Sequence, residues 1–263
     1  MLAVKDYELS GKSNLQLNLI VTRLELRMAT ISLYQTLLME RSTMQMNTAV
    51  TRPPEAILQT NKLIKNTYML LSMTLIFSGL MAFTSIAMQA SQGIALGASL
   101  VAIGLLWFVL PKTQNSAAGI PVIFGITGLL GFGLGPMLSY YLSVNPSIVT
   151  TAMGGTGAIF LSLSGYALVT RKDFSFLGGF IFVGMLVAIG AMIANLFLGI
   201  PALALAVSAA VIMIMSGLIL FQTSQMISGG ETNYISATAG LFLAILNIFT
   251  SLLHILGVFG GDD

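Results

Sequence analysis

From Tyr68 onward the chain alternates long apolar runs with short connectors, and the runs repeat at nearly constant length. Seven are present: Tyr68 to Met88, Ile94 to Leu110, Gly119 to Leu138, Thr150 to Val169, Phe174 to Leu198, Pro201 to Phe221 and Ala237 to Phe259. Each approaches the roughly 20 residues that a helix needs to cross a hydrocarbon layer about 30 Å thick. The connectors carry helix-breaking chemistry, in Ser91-Gln92-Gly93, Pro111-Lys112, Asn145-Pro146, Gly199-Ile200-Pro201 and Gly229-Gly230. Strands of a membrane barrel would show alternation over about ten residues, which these continuous runs lack. The pattern predicts an all-α, polytopic membrane protein with seven spans in residues 67–260.

Charge sharpens this picture. The 263 residues are 56% hydrophobic and 8% charged, against roughly 25% charged in soluble domains, so the chain cannot cover a water-facing surface. Between Asn66 and Gly261 the only charges are Lys112, Arg171, Lys172, Asp173 and Glu231, all of them between apolar runs. A charge at the centre of a span costs about 3 kcal/mol on insertion scales, which accounts for this placement. No basic patch suits nucleic acid. The absence of cysteine removes disulfides and thiolate chemistry.

Lysine and arginine also orient the chain. Arg52, Lys62 and Lys65 precede the first run, Lys112 follows the second, and Arg171 and Lys172 follow the fourth. Alternating crossings put all of these on one side, so the positive-inside rule predicts a cytoplasmic N-terminus and an external Asp262-Asp263 tail at 261–263. Residues 46–66 then form a cytoplasmic tail. Pro53-Pro54 oppose regular helix, so Met46 to Asn61 is expected to be irregular. Residues 1–45 read as an amphipathic or disordered extension, or as leader upstream of a start at Met44 or Met46. Asp6 and Glu8 stand where a secretory signal would be basic.

Polar side chains within the spans are the functional suspects, since each needs a partner or a watered cavity. They are Asn195, Gln222, Asn247 and His254. Hydrogen bonding between helices, headgroup contact or pore lining would each explain them. The glycine-rich stretch from Gly125 to Pro136 lacks the Gly-Lys-Ser/Thr ending of a phosphate loop. Gly131 and Gly135 would instead allow close helix packing, with a kink at Gly135-Pro136. Tyr140-Tyr141 fit an interfacial aromatic belt. No pair of carboxyls lies inside a span, His254 is the sole histidine, and metal ligands do not cluster. The inventory therefore points to no enzyme, cofactor or metal centre.

Three further segments carry a resemblance. Ser216 to Ile227, Gly229-Gly230-Glu231-Thr232-Asn233-Tyr234 and Leu241 to Phe249 resemble the signature end of the Bax inhibitor-1 family. Thr60 to Tyr68, Gly131 to Pro136 and Thr170 to Gly179 are similar to its bacterial YccA-like branch. The resemblance implies a seven-helix bundle with the last helix at its centre. It also implies one of two functions. Calcium leak channels of the family are gated through two aspartates, which fall at Gln222 and Ala244 here, and an arginine on the second helix, where this chain has none. Neither Gln nor Ala titrates, so that pH latch is missing. The YccA-like branch instead implies an inner-membrane, non-enzymatic substrate and modulator of the membrane-anchored, ATP-dependent protease FtsH. This is the expected function, with a calcium or other cation leak as the alternative.

Overall fold

A computed structural model describes residues 54–260. The extension at 1–45, the starts at Met44 and Met46, the tail up to residue 53 and Asp262-Asp263 lie outside the described residues.

Seven helices are long and apolar enough to cross a membrane. They are α1 (Pro54–Ala87), α2 (Gln92–Thr113), α3 (Gly119–Val144), α4 (Pro146–Thr170), α5 (Leu177–Leu198), α6 (Pro201–Ser228) and α7 (Tyr234–Phe259). Among the described residues all regular structure is helical.

Local chemistry explains where the helices end. Asn145 caps α4 by accepting the Ser147 N–H at 3.0 Å, and Asn233 caps α7 by accepting those of Ile235 and Ser236. Arg171, Gly199 and Gly229 close α4, α5 and α6 in the left-handed conformation. Two prolines behave differently from the sequence expectation. Pro54 opens α1, where its missing N–H and fixed φ are tolerated. The expectation of irregular chain up to Asn61 is therefore corrected: residues 54–66 are helical, and α1, at 34 residues, is about 51 Å long. Pro111 does not end α2 either. A π-turn over Leu105–Val109 precedes it and absorbs the proline, so the helix runs on to Thr113. In α3 the helix is interrupted at Leu134, between Gly133 and Gly135.

Apolar burial gains little between helices that already sit in hydrocarbon, so close backbone approach has to hold the bundle. The α1–α3 contact shows this. A Cβ on Gly131 would fall 2.2 Å from Ser78 O, and one on Gly128 2.6 Å from the Phe77 ring. Side chains such as Trp107, Phe108, Phe180 and Phe197 face outward, as helices surrounded by lipid require.

The last helix is central. It packs against α3, α4 and α6, and Thr238 Oγ1 donates to Thr67 O of α1. It has the largest buried share of the seven, with Leu241, Ala244, Ile248 and Leu253 fully enclosed. By contrast α2 packs on α3 and α5 on α6 at the periphery, where few of their residues are buried.

Candidate functional site

The two ends of the bundle differ in charge. The connectors at 114–118, 171–176 and 229–233 lie at the end that carries Lys62, Lys65, Lys112, Arg171, Lys172, Asp173 and Glu231; those at 88–91, 145 and 199–200 carry no charge. We call these the basic and the uncharged end.

At the basic end polar groups bind one another. The Gly229-to-Tyr234 segment is a compact clasp. Gly229 adopts φ +86°, which an L side chain rarely takes, and its N–H and that of Glu231 both donate to Gln225 O at 3.1 Å. Glu231 Oε1 accepts from the N–H groups of Thr232 and Asn233. Asn233 then reaches across to the α2–α3 connector, where its Nδ2 donates to Gln114 O at 2.9 Å and Asn115 Oδ1 at 2.7 Å. Ser224 ties the remaining connector to α6, accepting the Phe174 N–H at 2.9 Å and donating to Lys172 O. Asp173, exposed in that connector, accepts the Ser175 N–H at 2.8 Å, which holds its carboxyl below the usual range.

Deeper on the same side lies a neutral buried cluster. Tyr68 Oη pairs with Ser164 Oγ and lies 3.5 Å from Thr223 Oγ1. Gln222 projects onto α7 against Gly240, where a Cβ would fall 1.9 Å from its Nε2. Ala244, fully buried, is one turn further along the same face. The two positions at which the resemblance places aspartates are thus neighbours across the α6–α7 contact. Gln222 Oε1 is buried without a hydrogen-bond partner, as is Thr67 Oγ1.

The other three suspects converge at the uncharged end. Asn195 of α5, and Asn247 and His254 of α7, line one cleft of about 500 Å³ between α5, α6 and α7. Ser208, Thr250 and Ser251 share it, and Ser208 Oγ lies 2.8 Å from His254 Nδ1. Asn195 also accepts the Ile200 N–H at 3.0 Å, closing the end of α5. Reading the sequence singled out none of the three hydroxyls. The spacing of Asn247, Ser251 and His254 at i, i+4 and i+7 marks one helix face and could have found Ser251. Gln222 does not join this cleft.

At Gly135-Pro136 a close contact accompanies the break in α3: a Cβ on Gly135 would fall 2.0 Å from Ser85 Oγ of α1. Among the described residues no group of three or more His, Cys, Asp or Glu could hold a metal.

Comparison with known proteins agrees with this architecture. The family model described as inhibitor of apoptosis-promoting Bax1 matches residues 60–261. A relative from Escherichia coli K12, named modulator of FtsH protease YccA, is 48% identical over 209 residues, covering 79% of this chain and 94% of the relative. An uncharacterised membrane protein of Vibrio cholerae is 47% identical over 80% of this chain and 95% of its own length. An uncharacterised protein of Pseudomonas aeruginosa is 43% identical over 86% of this chain and all of its own length. With a family match across nearly the whole described bundle and relatives this similar, the chain belongs to the Bax inhibitor-1 family, in its bacterial YccA-like branch.

Proposed function

We propose that this protein is a multi-pass protein of the bacterial inner membrane that acts, without catalysis of its own, as a substrate and modulator of the FtsH protease. The observation that carries this reading is the 48% identity to the Escherichia coli protein named for that role, across 94% of the relative's length. A counterpart in another Escherichia coli strain is named an inner membrane protein. The positive-inside rule assigns the basic end to the cytoplasm, so the chain preceding α1 lies on the side from which an ATP-driven protease would pull.

The fold suggests how modulation would work. Drawing a helix out of the bundle exposes backbone groups to hydrocarbon or unpairs them, at several kcal/mol per group. The clasp at Asn233 and the close α1–α3 contact resist the first steps. The protease would stay engaged on a slowly yielding substrate and process others more slowly. The test is the lifetime of other membrane substrates in cells expressing the full chain or a form starting at Met46 with residues 47–53 deleted. The full chain should co-purify with the protease and lengthen those lifetimes, and the shortened form should itself turn over more slowly. If neither form co-purifies nor changes any lifetime, the reading fails.

A cation leak is the second reading. It is favoured by the polar cleft at one end and the buried polar cluster towards the other, separated along α7 by Leu241 and Ile245. With Gln222 and Ala244 in place of carboxyls, calcium flux through purified protein in liposomes should show no carboxylate-type step between about pH 6 and 8. A steep step removed by Gln222→Ala would contradict this.

A further inference from the structure

A groove on the flank of the bundle opens to the surrounding hydrocarbon between α1 and α4. Its walls run from Leu75 to Ile86 on α1 and from Val149 to Phe160 on α4, over a floor of α3 and the central α7. Towards the basic end the walls meet, where Tyr68 Oη pairs with Ser164 Oγ and the rings of Tyr68 and Phe160 lie 6.1 Å apart. Beyond that contact a void of about 470 Å³ separates them, and Phe83 and Met153 stand exposed on its lip. Gly79 and Gly157 line it from opposite walls, and a Cβ on either would meet no atom of another helix within 4 Å. Gly128 and Gly131 bring helices together; these two glycines leave them apart.

Size and chemistry select the occupant. At the helical rise each wall is about 16 Å long, close to the hydrocarbon thickness of one leaflet, about 15 Å. A void of about 470 Å³ spread over that length averages roughly 30 Å² in cross-section. A helix, about 10 Å or more across, does not fit. A polymethylene strand, roughly 4–5 Å wide at carbon contact distance, does. Water is disfavoured, because it needs polar partners. Ser78 and Thr156 are the only polar side chains on the lining, both are buried, and Thr156 Oγ1 already donates to Ala152 O at 2.7 Å. Left empty, the walls would forfeit their contacts outright, whereas acyl chains surround the lip. The connectors at the uncharged end offer no charge to a headgroup, so the chain and not the headgroup is what the site recognises. We propose that this groove holds one acyl chain of a phospholipid from the leaflet at the uncharged end, with the chain's methyl end against Leu75 and Phe160 near mid-membrane. The site is independent of the protease reading, and failure of one leaves the other standing.

The test places the full chain in phosphatidylethanolamine–phosphatidylglycerol vesicles containing a trace of phosphatidylcholine with a diazirine near the end of one acyl chain. After illumination, labelled peptides are quantified by mass spectrometry. The outward face of α5, where Phe180 is 66% and Phe197 86% exposed, reports ordinary contact with bulk lipid. The expected result is labelling of the Val149-to-Phe160 wall at least fivefold above that face. Gly157→Leu and Gly79→Leu fill the groove from opposite walls, and each should bring its labelling down to the α5 level while leaving the α5 label unchanged. Because both added side chains enter open space, the unfolding temperature of each variant in detergent should equal or exceed that of the wild type. Equal labelling of groove and α5 in the wild type, or groove labelling that survives both variants, would overturn the proposal. So would a fall in unfolding temperature in both variants, which would show that the groove is not open. Labelling that fades as the protein-to-lipid ratio rises would assign the groove to a second copy of the chain instead.

Discussion

Two polar regions share helix α7, and they are built in opposite ways. Towards the basic end the polar groups are largely spent on one another: Asn233 on the α2–α3 connector, Ser224 on the α4–α5 connector, Tyr68 on Ser164. Towards the uncharged end Asn195, Asn247 and Thr250 spend half their capacity on their own helices or caps and turn the rest into a cleft. In hydrocarbon an unmet polar group has no water to fall back on, so the closed arrangement serves cohesion, while the open one leaves polar side chains lining a cleft. The same residue types carry either role, and only packing tells them apart.

Mutations should divide along that line. The largest loss is expected for Gly131→Leu, because a Cβ there already meets the Ser78 backbone at 2.2 Å and α1 must move away. Overpacking of this kind costs about 3 kcal/mol, visible as a marked fall in thermal unfolding temperature in detergent. Asn233→Ala should cost about 1–2 kcal/mol, since it removes the cap of α7 and the clasp to Gln114 and Asn115 together. A smaller Asn233→Ala effect would show that the clasp does not hold the basic end.

Gln222 tests the comparison from the other side, because it lies in the closed region with a buried Oε1 that has no partner. Replacing it by leucine removes the unmet acceptor, and should leave stability unchanged or raise it by about 1 kcal/mol. A clear loss would mean that the amide makes bonds essential to the cluster. The smallest effect belongs to Asp173. Its carboxyl is held below the usual range by the Ser175 N–H, so whatever it contributes is present above the ordinary carboxylate pKa and lost only as pH falls through the lowered one. Unfolding temperature should therefore show no Asp173-dependent change between about pH 6 and 8 when wild type and Asp173→Asn are compared.

The seven spans were legible because hydropathy is a local property of each run. Their ends were less so. Helix α6 continues seven residues past Phe221 because Thr223, Ser224 and Gln225 find partners within the folded end, which hydropathy does not encode. Pro54 and Pro111 read as breakers, yet one opens a helix and the other is absorbed by a π-turn. The suspects Asn195, Asn247 and His254 could be named from the sequence, but not brought together. Their meeting depends on α5 packing beside α6 and α6 beside α7. Gln222 looked like their equal and lies elsewhere, against Gly240.

The central functional claim is that this bundle engages the membrane protease and slows its work. The most direct measurement reconstitutes purified FtsH with ATP, a reporter membrane substrate and this protein in one set of proteoliposomes, and follows proteolysis of both. The account predicts that the reporter is degraded more slowly as the amount of this protein rises, while the protein itself is consumed at a lower rate than the reporter. An unchanged reporter rate, with this protein left intact at every ratio, would contradict it.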